Sequence, residues 1–317
     1  MCVSYPKSNN LIINKNNKKM KKLLLVSLAL MTLTVAKAQL KVFPTLKKGM
    51  EKVYVTNTTM ALPGQPEVAM DVETKYTVSD ATANGYVIDM VSTSVSSNAT
   101  TDNIAGQILV AAQEMVKDVT IRVATDKNGK LLNIQNYDEV SKAFDGRSKQ
   151  MTEKLYQLIP QMKDVISEDA LKGQLMENLN MEALFRSIKE ATSPLALFGK
   201  TIMTGAQEQH TNEQGLKLNR MYFVNGRAVT TSSTLNMSKD EIKQLIIAQV
   251  EKLAPAQADM IKKNIDQLID SGMMKIDVKE TATYDLQDDN WPKKLAVEVV
   301  NEVVGQKSVS KSTITLK

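Results

Sequence analysis

Apolar and polar residues alternate with period two along DVETKYTV, residues 71–78. Val72, Thr74, Tyr76 and Val78 share one phase, and Asp71, Glu73 and Lys75 the other. That spacing predicts a strand with one packed face and one wet face. VYVTNTTM (53–60), rich in β-branched residues, and GYVIDMVSTSV (85–95) predict two more strands. The period then changes. Over 102–117, Ile104, Ile108, Ala112 and Met115 recur at helical spacing, with Thr101 or Asp102 as cap. VTIRVAT and KLLNIQN flank the turn DKNG (126–129), a hairpin with Gly129 at a position suited to positive φ.

Helical spacing dominates residues 138–198. Val140 and Phe144 begin it; Met151, Leu155, Leu158 and Met162 continue it. Leu171, Leu175, Leu179, Leu184, Phe185 and Ile188 extend it, and Pro160, Gly173 and Pro194 divide it into several helices. Strands resume around 200–210. LNRMYFV and RAVTTSSTLN then form a hairpin about Asn225-Gly226. Ser238-Lys239-Asp240-Glu241 is a capping-box pattern that opens a helix over 239–252, burying Ile242, Leu245, Ile246, Val250 and Leu253. Pro255 ends it. A second helix, 256–271, is closed by Gly272, so the two predict an αα-hairpin. Strands at 273–287, 293–304 and 306–316 complete a meander, with turns at DDNWP and Gly305.

The fold class expected is α+β: curved antiparallel sheet with helical hairpins packed on one face. Residues 39–317 are expected to form a single composite domain, two-lobed if the block at 138–198 stands apart. VETKYTVSD (72–80) loosely echoes VKETATYDLQD (278–288), either through internal duplication or through the shared vocabulary of strands.

The start of the chain changes the charge balance. Lys18, Lys19, Lys21 and Lys22 precede an apolar stretch from Leu23 to Val35, and Ala36-Lys37-Ala38 follows. This is the three-part pattern of a cleaved secretory signal, with cleavage expected between Ala38 and Gln39. The stretch falls short of the ~20 residues a bilayer span needs. Met20 is then the expected start, with 1–19 translated from an upstream codon and 20–38 the signal peptide. Residues 1–38 hold seven of the 40 basic residues and none of the 35 acids, leaving 33 against 35 in the remainder. The basic pI of the whole chain therefore offers no ground for a nucleic-acid partner. Cys2 leaves with the leader, so disulfides, thiolate zinc and a thiol nucleophile are excluded from the remainder. No cysteine stands at the cleavage site, so no lipid anchor is expected, and no integral membrane span remains after cleavage.

Catalytic patterns are scarce. His210, the sole histidine, sits in AQEQHTNEQG, read as a polar loop that exposes it. There is no nucleophile elbow, P-loop, dinucleotide fingerprint or H-E-x-x-H, and one histidine cannot build a multi-histidine zinc site. Glu280 is the one pocket candidate. It shares the even phase of MKIDVKETATYDL with Met274, Ile276, Val278, Ala282 and Tyr284. Either it occupies an apolar pocket with a raised pKa, or the strand bulges or lies at a sheet edge; the second is preferred, because a buried unpaired charge is costly. Asp288, Asp289 and Asn290 lack the spacing of a calcium loop and read as a solvated turn. Three glycosylation sequons, beginning at Asn57, Asn98 and Asn236, read as chance. No cofactor or metal is expected. Aromatic residues are only 4% of the chain, which weakens a sugar-binding reading, whereas methionine numbers 18 and adapts to varied apolar partners. SPLALFGK (193–200) is an apolar loop that either gates a pocket or packs on the sheet.

LKKGMEKVYVTNTTM (46–60), TDKNGKLLNIQNYDEV (125–140) and the signal ending AKAQ resemble uncharacterised exported proteins of Bacteroidetes-type bacteria. The resemblance implies a periplasmic or outer-membrane-associated location and no known activity. The expected function is that of a non-enzymatic exported envelope protein carrying a hydrophobic small molecule in a sheet–helix cavity. The alternative is a structural module that binds another envelope protein; a carboxylate-based hydrolase stands third.

Overall fold

Strand-forming residues in a computed structural model assemble into one large antiparallel sheet. The structure describes residues 39–317, except 62, 65, 101–102, 165, 213–214, 254–258, 260–261, 266, 268–275 and 304–305. A short strand β1 (Gln39–Val42) leads into β2 (Glu51–Ala61), β3 (Val68–Thr82) and β4 (Gly85–Ser97). Helix α1 (Ile104–Val116) precedes the hairpin β5 (Ile121–Asp126) and β6 (Leu131–Ile134). The helical block follows as α2 (Tyr137–Leu158), a 3₁₀ turn at Pro160–Asp164, α3 (Glu168–Asn178) and α4 (Met181–Ile188). Strands β7 (Lys200–Met203), β8 (Gln207–Thr211), β9 (Lys217–Asn225) and β10 (Ala228–Leu235) come next. Helix α5 (Lys239–Leu253) separates them from β11 (Ile276–Leu286), β12 (Pro292–Val303) and β13 (Gln306–Leu316).

The sheet order is β6-β5-β4-β3-β2-β13-β12-β11-β10-β9-β8. Two meanders therefore meet at a seam, where β2 pairs with β13 from Tyr54↔Leu316 to Ala61↔Val309. β1 and β7 form a separate two-stranded ribbon. The α+β class and the antiparallel pairing are as the alternation predicts. The expected curvature is not: no sheet is strongly curled. The echo between 72–80 and 278–288 falls on β3 and β11, but the helices do not repeat with it. α1 follows β4, whereas α5 precedes β11.

One sheet face carries the core. Along β11, Val278, Glu280, Ala282, Tyr284 and Leu286 are buried while Lys279, Thr281, Thr283 and Asp285 are exposed. Leu295 and Val297 continue the buried face on β12, and Tyr76 and Val78 do so on β3. Val140 and Phe144 of α2 and Leu184 and Ile188 of α4 join the same cluster. Trp291 is fully buried; Phe198 meets it edge-on at 4.9 Å and Tyr54 stacks at 6.3 Å. Such ring pairs add roughly 0.5–1.5 kcal/mol beyond area burial. Phe198 belongs to the SPLALFGK loop, whose Leu195, Ala196 and Leu197 are likewise buried. The loop is thus part of the core. Gly199 ends it at φ +73°, where an added Cβ would lie 2.4 Å from Lys130 Cα, so only glycine fits.

Several local expectations are corrected. The N-cap of α1 is Asn103, whose side chain accepts from Gly106 N; Thr101 and Asp102 lie outside the described residues. The packed line of α1 is Ile108, Ala111 and Met115, with Ile104 exposed, so its face is rotated from the predicted one. Gly173 does not break the helical block but lies inside α3. Most of the helix predicted at 256–271 and the turn at Gly305 lie outside the described residues. Ser238 and Glu241 do form the capping box of α5: Glu241 N donates to Ser238 Oγ, and Ser238 N to Glu241 Oε2. Ile242, Leu245 and Ile246 on this helix are half-buried rather than buried.

Candidate functional site

Strand register builds a polar row into the apolar face. Glu208 on β8 pairs with Arg220 on β9, Arg220 with Ser233 on β10, and Ser233 with Glu280 on β11. All four point to the covered side, because period two keeps them in phase with Leu218, Tyr222 and Tyr284. Above them, Glu190 reaches down from the turn after α4, and Tyr284 Oη donates to Ala191 O at 2.9 Å to hold that turn in place.

Arg220 is the centre, with only 5% of its side chain exposed. Its Nη2 donates to Glu280 Oε1 at 3.0 Å and to His210 Nε2 at 2.9 Å. Its Nε donates to Ser233 Oγ at 3.2 Å, and Nη1 approaches Glu208 at 3.5 Å. Ser233 Oγ in turn donates to Glu280 Oε1 at 3.0 Å. At the outer end, Lys200 donates to Glu208 and to the Tyr222 hydroxyl, each at 3.0 Å, and Tyr222 donates to Glu208.

The electrostatics follow from this geometry. Arginine only donates, so His210 Nε2 must accept and the ring proton sits on Nδ1. Nδ1 is buried and has no hydrogen-bond partner among the described residues. Burial, then the neighbouring Arg220 charge, lowers the His210 pKa to about 4. His210 is therefore neutral near pH 7. Burial alone would lower the pKa of Arg220, but Glu280, Tyr222, Tyr284 and Glu208 overcome it and hold the guanidinium above its ordinary value. Burial would raise Glu208; Lys200, the Tyr222 hydrogen bond and Arg220 prevail and lower it.

Glu190, His210 and Glu280 each offer a ligand atom, all within 4.8 Å of one another. Donor types and spacing suit a divalent cation. The guanidinium of Arg220 stands there instead, 3.0 Å from Glu280, 2.9 Å from His210 and 3.9 Å from Glu190. It supplies the positive charge that the carboxylates need, so these residues do not fit a metal while Arg220 stays. The same guanidinium bridges Glu280, at 3.0 Å, and Glu208, at 3.5 Å. Ser233 is fully buried, which denies its hydroxyl to a substrate. Chemically the cluster is a closed lock joining four strands and one turn.

Glu280 is thus buried and paired, neither at an edge nor in a purely apolar pocket. His210 is corrected from an exposed loop to a half-buried position on β8. Arg220, the hub, escaped notice in the sequence. Asp289, read as solvated, is part-buried and pairs with Lys52 at 2.8 Å, and its carbonyl accepts from Thr45 N.

An open groove of 610 Å³ lies elsewhere, between α1 and α2. Val110, Ala111 and Met115 come from α1; Arg147, Met151 and Lys154 come from α2. Arg147 Nη1 is committed to the last turn of α1, donating to Met115 O at 2.8 Å and to Lys117 O. It thereby satisfies carbonyls that a helix end leaves unpaired. A second groove of 450 Å³ adjoins the first, sharing Glu153 and Gln157. The second sits on the helical block, and the first lies between that block and α1. The cavity expected between sheet and helices is not where they lie: that region holds Trp291, Phe198 and their neighbours.

No family model matches the chain, and no curated protein matches it. Among solved structures it is similar to one described as lipid–protein interactions in lipovitellin, at TM-score 0.39 and 10% identity. The match covers 86% of this chain and 25% of that one, so the chain spans about a quarter of lipovitellin's length. A likeness of that strength carries nothing about function. No described helix is long and apolar enough to cross a membrane.

Proposed function

We propose that this is a non-enzymatic exported envelope protein, periplasmic or outer-membrane-associated, that binds a hydrophobic ligand in the groove between α1 and α2. The observation that carries the reading is the groove itself. Its 610 Å³ lies within the ~300–1,000 Å³ range of small-molecule sites. Met115 and Met151 are buried at its base, and thioether side chains adapt to varied apolar shapes. The rest of the lining is mostly polar: Gln107, Glu114, Arg147, Gln150, Glu153, Lys154 and Gln157 surround the apolar strip of Val110, Ala111, Met115 and Met151. The Arg220 cluster favours a binding protein over a hydrolase, because its acids are already neutralised. Export rests on the lysine-led leader and the Ala36-Lys37-Ala38 site.

Organic extraction of natively purified protein, followed by mass spectrometry, tests the binding reading. A stoichiometric lipid is expected, lost in Met151→Asp. Protein that is consistently empty, with the same uptake of an apolar dye in wild type and variant, overturns it. Intact-mass measurement of the envelope fraction tests export, with Gln39 expected as the first residue. A second reading, a protein-interaction module, draws on β6 and β8, which end the sheet and, among the described residues, each pair on one side only. A stoichiometric protein partner in envelope pull-downs, absent after proline is placed in β8, would favour it.

A further inference from the structure

We infer that the α1–α2 groove is built for a single-chain carboxylate amphiphile, with Lys154 as the contact for the carboxylate. The inference rests on the binding reading above and adds the class of ligand to it. Arg147, Met151 and Lys154 recur at intervals of four and three, so they line one face of α2. From Arg147 to Gln157 that face runs about 15 Å at 1.5 Å per residue. An alkyl chain lying along it would pass over the exposed edges of Met115 and Met151 and over Val110 and Ala111.

The charges around the track are unequal in availability. Arg147 is spent on the carbonyls that end α1. Glu114 stands at the same end, 3.8 Å from Lys117. Glu153 is exposed on the ridge between the two grooves and faces both. Lys154 is different. It is half-buried in the line of groove residues and has no hydrogen-bond or ion-pair partner among the described residues. A cation held partly out of water without a partner gains from an incoming anion, and a carboxylate is the anion an apolar chain most simply carries. A fatty acid meets both demands: the chain takes the methionine floor and the head takes the ammonium.

Competition of palmitate and of hexadecanol against a fluorescent apolar probe, on the full protein, tests this. The two share a chain and differ in the head. Palmitate is expected to compete at lower concentration than hexadecanol. Lys154→Gln should weaken palmitate about five- to tenfold, the scale of a partly exposed charge-assisted pair, and affect hexadecanol far less, since a neutral hydroxyl loses only an ordinary hydrogen bond. Lys154→Arg should retain the preference. Equal competition by the two, unaffected by Lys154→Gln, overturns the carboxylate inference while leaving the apolar groove intact. If neither competes, and Met151→Asp leaves probe binding unchanged, the groove reading falls as well. Lys154 has no hydrogen-bond or ion-pair partner among the described residues, so the Gln variant should melt close to wild type, and a melting curve of each variant is recorded alongside.

Discussion

Replacing Arg220 by leucine leaves Glu280 buried with no cation, and Glu190 and Glu208 lose the same partner. Breaking a buried pair from one side costs about 3–5 kcal/mol, whereas removing both partners is often close to neutral. Arg220→Leu is therefore expected to lose about 3–5 kcal/mol in urea unfolding, and Arg220→Leu/Glu280→Leu to recover part of it. A double variant no more stable than the single one would show that the two residues do not act as a pair. His210 gives the cluster a pH dependence. Its folded pKa, about 4, lies below the ordinary 6.5, so the unfolded chain binds the extra proton between those values. Stability is full above about pH 6.5 and falls as pH drops toward 4. The ring is partly exposed, so screening trims the loss to ~1–2 kcal/mol. His210→Gln keeps an acceptor for Arg220 and does not titrate; its stability difference between pH 7 and pH 4.5 should be smaller than that of wild type by about that amount. Glu208, held below its ordinary range, acts in the same sense at lower pH, its contribution fading as it protonates.

At the scale of elements, the 193–200 loop behaves as a third layer of core. Phe198→Ala removes a ring that packs edge-on against Trp291, and a large-to-small change at such a site costs roughly 3–5 kcal/mol. Near-UV circular dichroism should lose its tryptophan signal in step, since Trp291 is the single tryptophan. An unchanged spectrum would mean the loop is not seated there. Most strands were legible because their two faces differ: β3, β9 and β11 alternate openly. β8 was only partly legible: strands were expected around 200–210, but AQEQHTNEQG read as a loop, because Glu208 and His210 point inward to meet Arg220 and a polar inward phase hides the alternation. The usable signal was Arg220 itself. It sits on the apolar phase of LNRMYFV just as Glu280 sits on the apolar phase of β11, and two opposite charges so placed predict a buried pair. β1 was missed for a different reason: four residues are too few to show a period, whereas β7 falls within the strands expected around 200–210. The face of α1 was misjudged because alanine at 111 and 112 fits either side. The α1–α2 groove could not be read at all, since it depends on how two helices pack and not on either alone.

At the scale of the molecule, the seam between β2 and β13 joins residues far apart in sequence. Thr58 and Ser312, bonded across it at 2.9 Å, stand 254 positions apart. Residues 309–315 of β13 pair with β12 on one side and β2 on the other, so its removal would leave two sheets in place of one. Deleting residues 306–317 is expected to abolish cooperative unfolding, monitored by far-UV circular dichroism; a sharp transition in the truncated chain would mean the halves are stable alone. The seam also bears on time. Chain entropy must be surrendered before such a distant pairing gives any return, so closure across it belongs to the slow end of folding. Until then the two half-sheets each show a bare inner margin. A newly made chain of this design stays threadable for longer than one built from neighbouring hairpins, and it depends for that interval on whatever keeps those margins from meeting a stranger.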